Sequence, residues 1–125
     1  MTSFVPYPEA EKHKSHLLLQ AALLRSEGEE ELAAVRFAEA AVLEENLTRQ
    51  ADLQGQSLRA ARSHFSAASA WANAGNFFRA LELLQSLDMR ADAPEPLKAH
   101  ARIFAETLRV ERRHWHDILQ EASLT

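Results

Sequence analysis

"AGNFFRALELLQSL", residues 74–87, decides how the chain is read. Helix-forming residues stand on both sides of Gly75 and Asn76, and glycine can take the left-handed conformation that stops a helix. Beyond the break, Phe77, Ala80, Leu81, Leu84 and Leu87 return at the spacing of one helix face. The stretch is therefore the turn of a helical hairpin, and its neighbours should be read as helices too.

Upstream, from Ser57, one stripe of Leu58, Ala61, Phe65 and Ala68 runs beside a second of Ala67, Ala70, Trp71 and Ala74. A helix striped in this way touches neighbours on two sides. "NLTRQADLQGQ", residues 46–56, is polar with Gly55 as its punctuation, which places another turn there. Before it, the acidic Glu29, Glu30 and Glu31 suit a helix start, followed by Ala33, Phe37, Ala40, Ala41, Leu43 and Leu47 at helical spacing. A first helix, from about Glu9, carries Leu17, Ala21 and Leu24 and stops at Gly28. Pro6 and Pro8 hold residues 1–8 in extended conformations, as a flexible arm before a single domain over residues 9–125. Downstream, "DMRADAPEP", residues 88–96, ends the fourth helix, and Pro94 and Pro96 favour the start of a fifth with Leu97, Ala101, Phe104, Ala105 and Leu108. After "RVERRHW", residues 109–115, a sixth helix is expected, bearing Trp115, Ile118, Leu119 and Ala122.

Composition agrees. With 125 residues, 46% hydrophobic and 26% charged, the chain can build one core, and three glycines with four prolines give few hairpin turns for strands, so the fold class is all-α. The absence of cysteine excludes disulfides and thiolate zinc sites and suits a reducing, cytoplasmic setting. The N-terminus has no secretory pattern, no apolar run is long enough for a membrane span, and a net charge of −4 argues against a dedicated nucleic-acid binder. No phosphate loop, triad motif or metalloprotease signature is present, so no cofactor or catalytic site is expected. "EGEEE", residues 27–31, lacks the ligand spacing of a calcium loop and reads as helix-start charge.

Laying Gly28 on Gly75 aligns Ala21 with Ala68, Leu24 with Trp71, Ala33 with Ala80, Phe37 with Leu84 and Ala40 with Leu87. This order of small, large, Gly, small and large positions resembles the tetratricopeptide (TPR) repeat, in which small residues let two antiparallel helices approach closely. The resemblance covers residues 14–43 and 61–87. The glycines are 75 − 28 = 47 residues apart, against about 34 in the family, and lengthening the second and third helices absorbs the surplus. The resemblance implies a short right-handed solenoid of five to six helices, acting as a non-enzymatic adaptor that holds a peptide or helix on a concave face lined by alternate helices. Carried over by position, that face comprises Leu18, Ala22 and Arg25 from the first helix, Arg62, Phe65, Ser69 and Asn73 from the third, and Arg102, Glu106 and Arg109 from the fifth. Its four arginines would favour an acidic segment, because a guanidinium offers a carboxylate two parallel hydrogen bonds. The plainer alternative is that these arginines keep Ala-rich helices solvated.

A second reading rests on histidines. Arg59 with His64 and Arg109 with His114 each give Arg-x4-His, which resembles the motif of small dimeric helical ribonucleases of the HEPN class, although Ala60 and Val110 replace the usual polar residue after the arginine. His13 with His16 and His114 with His116 are metal ligands by residue type alone: the first pair could share a helix face but two ligands make a weak site, and the His-x-His pair diverges on a helix. Finally, the stripe of Trp115, Ile118 and Leu119 either folds back on the fifth helix or is shared across a two-fold axis, and a homodimer is the expected outcome.

Overall fold

The same turn occurs three times. In the computed structural model, which describes residues 7–124, the peptide N–H after each glycine donates back to a carbonyl five residues earlier: Glu29 to Leu24 (2.9 Å), Gln56 to Ala51 (2.8 Å) and Asn76 to Trp71 (2.9 Å). The glycine N–H donates to the carbonyl three residues back in each case. This pattern closes a helix only if the glycine is left-handed, and Gly28, Gly55 and Gly75 have φ of 82°, 72° and 85°. The next residue then opens the following helix at once. Asn76 does so with its side chain, whose Oδ1 accepts from the Arg79 N–H at 3.0 Å.

These turns divide the chain into α1 (Tyr7–Ser26), α2 (Glu30–Leu53), α3 (Ser57–Asn73) and α4 (Phe77–Asp88), and a longer connection leads to α5 (Glu95–Leu124). There is no strand among the described residues. The turns at Gly28, Gly55 and Gly75 stand where the sequence puts them. Most of the arm expected over residues 1–8 lies outside the described residues, but Tyr7 and Pro8 belong to the first turn of α1, where proline is tolerated.

The expected sixth helix is instead the second half of α5, which continues unbroken through "RVERRH". That segment is charged but contains no glycine or proline, and charge alone does not end a helix. Glu106 lies 3.6 Å from both Arg109 and Arg113, three and seven residues on along the same helix.

Each helix packs on its neighbours in sequence, and α3 also meets α5. Ala21 clusters with Ala33 and Phe37, and Ala68 with Ala80, Leu84, Ala101 and Leu108, as the glycine alignment requires. Among the described residues, fifteen of the twenty-two buried apolar ones are alanine, so the helices approach closely with little side chain between them. Polar ties lock the stack across larger sequence distances. Glu45 of α2 accepts from the Trp71 indole of α3 at 2.7 Å and pairs with Arg79 of α4. Arg90, after α4, grips Asp52 at the end of α2 with two hydrogen bonds of 2.7 and 3.2 Å.

Candidate functional site

Two successive hairpin turns bring α1 and α3 to the same side of α2. They are pinned at their C-terminal ends: Arg25 donates to the Asn73 side chain at 3.1 Å and to its carbonyl at 2.7 Å, pairs with Glu30 at 3.1 Å, and lies over the Phe37 ring at 4.7 Å. Elsewhere the two backbones stay apart, with no Cα of one within 8 Å of the other. The separation opens a cleft of about 730 Å³ toward their N-terminal ends, with Glu11 and Lys14 on one wall, Arg59, Arg62, Ser63 and Ser66 on the other, and Glu44 of α2 at its floor.

The cleft is built around a buried charge. Glu44 is only 2% exposed. Its compensation is ionic: Lys14 Nζ lies 2.8 Å from Glu44 Oε1 and 2.7 Å from Glu11 Oε2. Burial raises the Glu44 carboxyl above its ordinary range despite the opposing ammonium. Burial by itself would lower the Lys14 ammonium, but the hydrogen bonds and charges of Glu11 and Glu44 outweigh it and raise the pKa. Above this pair the walls mix guanidinium and hydroxyl groups with apolar surface that includes Leu58. Such a lining suits a segment that brings a carboxylate to the guanidinium groups and an apolar side chain beside it.

The structure distributes the residues expected on the concave face unevenly. Arg62 lines the cleft, is exposed, and has no ion-pair partner among the described residues. Ser69 and Asn73 continue the Arg62 face along α3, but Asn73 is occupied by Arg25. Leu18 packs against the small cluster around Ala21, and Phe65 packs into the main core with its ring edge-on to Phe104 at 5.9 Å, so both serve mainly as packing. Ala22 is exposed on α1. On α5, Arg102 pairs with Asp88 at 2.5 Å and Arg109 with Glu106 at 3.6 Å, outside the cleft. Sequence reading missed Lys14, Glu44 and Ser63. The only signal for them was an acidic residue at a position where α2 turns toward α1, and Glu44 has an identical neighbour in Glu45.

The histidine pairs do not converge. Five residues along a helix rotate about 140°, so Arg59 faces the cleft while His64 is buried on the other side of α3, beside Glu45, Thr48, Arg49 and Leu83 around a cavity of about 140 Å³. Burial lowers the His64 pKa, and a hydrogen bond with the Leu83 backbone opposes that shift. His13 and His16 lie on the outer surface of α1, and no group of three or more His, Asp or Glu residues placed to hold a metal occurs among the described residues. No helix among them is long and apolar enough to cross a membrane. No protein-family model, curated protein or solved structure matches the chain.

Proposed function

We propose that the chain is a TPR-like, non-enzymatic interaction module that holds an acidic peptide or helix of a partner protein in the cleft between α1 and α3. One observation carries this reading: Arg62 is an exposed guanidinium without an ion-pair partner among the described residues, on the wall of an open cleft. Arg25, Arg102 and Arg109 are already engaged with acidic or amide groups, so Arg62 is the arginine of the four that can offer a carboxylate both hydrogen bonds without giving up another partner. The exposed Ser66 beside it can orient a bound backbone or side chain. The TPR reading draws its support from the hairpin turns and the small-residue positions around them, and a cytoplasmic setting is supported by the lack of cysteine.

The test is affinity capture followed by mass spectrometry with three forms of the protein: wild type, Arg62→Glu, and Arg36→Glu as a control. Arg36 is a partly exposed arginine of α2 paired with Glu39 at 2.6 Å, away from the cleft. A partner held by wild type and by Arg36→Glu, lost from Arg62→Glu and released by salt, is the expected result. Equal loss from both variants would place the binding surface elsewhere.

A further inference from the structure

The second half of α5 projects from the bundle as a helix with an uncovered face. Leu108 is its last buried residue, and everything from Arg109 to Ser123 is exposed, a projection of about 24 Å at 1.5 Å per residue. The seam by which α5 packs on α3 and α4 runs Leu97, Ala101, Phe104, Leu108, in alternating steps of four and three. The same rhythm continues through Glu111, Trp115, Ile118 and Ala122. Here its apolar positions stand exposed. Trp115 is 57% exposed, Ile118 39% and the flanking Leu119 65%. A repeat of 3.5 residues that outlasts its partner inside the monomer is the pattern by which two helices pair along a seam.

We propose that this projection pairs antiparallel with the same segment of a second copy of the chain, across a two-fold axis between residues 116 and 117. The proposal is independent of the cleft between α1 and α3. Charge decides both the occupant and its direction. Arg109, Arg112 and Arg113 outweigh Glu111 near the bundle, and Asp117 and Glu121 stand further along α5. Parallel self-pairing would set like charges side by side, whereas antiparallel pairing sets the basic part of each copy against the acidic part of the other. With Trp115 against the partner's Ile118, Glu111 falls opposite the partner's Ala122, and His114 lies toward the partner's Glu121. The geometry at the ends agrees. Where the projection leaves the bundle, a cleft of about 520 Å³ joins apolar walls of Phe77, Phe104, Leu108 and Trp115 to polar ones of Arg25 and Glu111, and in this register the end of the partner helix reaches it. One occupant thus covers the seam and fills the cleft, each twice by symmetry.

Light scattering between about 1 and 100 µM, a range that brackets a micromolar dissociation constant, should give twice the 14.0 kDa mass of one chain at the upper end. Trp115→Glu should return the mass to one chain with helix content unchanged, because Trp115 supports nothing inside the monomer core. The direction is tested by disulfides, since the chain has no cysteine of its own. Mixed Glu111→Cys and Ala122→Cys chains should cross-link to each other under oxidation, and neither variant should cross-link to itself. A single-chain mass throughout the range, or a dimer that survives Trp115→Glu, overturns the proposal. So does a dimer broken by Val35→Glu on the exposed face of α2 instead, and self-linking of Ala122→Cys overturns the antiparallel register.

Discussion

His64 and Glu44 are both buried and ionisable, and they respond to acid in opposite directions. Burial lowers the His64 pKa in the folded chain below its ordinary value of 6.5. Between those two values the unfolded chain carries the proton and the folded chain does not, so this contribution to stability is complete above pH 6.5 and is lost as pH falls toward the folded pKa. Glu44 is raised above 4.5, so its contribution grows as pH falls through its folded pKa and is complete below 4.5. Arg90 adds to the lowering of His64, while Asp52 and Glu45 oppose it. Below pH 6.5, urea unfolding should show stability falling by at most about 1.4 kcal/mol per pH unit from this one proton. His64→Leu should remove that part of the slope. An unchanged slope in the variant would show that His64 is already hydrated when folded.

Within an element, what a reader of the sequence can recover depends on whether the signal is local. The turns at Gly28, Gly55 and Gly75 were legible because each is set by one left-handed residue between two helical patterns. The alanine positions were legible because a seven-residue stretch before the glycine and five after it fix which faces meet. Ala80, with no exposure, is the sharpest case. Ala80→Leu should overpack the contact with the cluster holding Ala68 and destabilise the fold by roughly 1–3 kcal/mol in urea unfolding. A neutral result would mean that α3 and α4 can move apart there. The length of α5 was not legible, because the break expected at "RVERRHW" rested on no helix-stopping residue. The fates of Glu44 and Glu45 were also hidden. They differ by one position, about 100° around α2, so one meets Lys14 of α1 and the other Trp71 of α3 and Arg79 of α4. Arg25 and Asn73 likewise meet across 48 residues only because α1 and α3 lie on the same side of α2.

Across the whole molecule, packing that runs mainly between sequence neighbours makes stability uneven. α3 meets α2, α4 and α5 through backbone proximity and is tied to α1 through Asn73, so opening it breaks the whole stack. The projecting half of α5 contributes nothing to either core cluster, and its backbone hydrogen bonds are protected only by the helix itself. Isolated helices of this length are marginal in water, so amides beyond Val110 should exchange with solvent orders of magnitude faster than those of α2 and α3 in the monomer. Amide exchange in the Trp115→Glu variant measures that monomer directly, with slow exchange confined to the α2 and α3 interior and to α5 before Leu108. In wild type at high concentration, pairing of two copies should slow exchange beyond Val110, while α3 stays as it is. Slow exchange beyond Val110 at every concentration, and in the variant too, would show that the projection is covered from within its own chain.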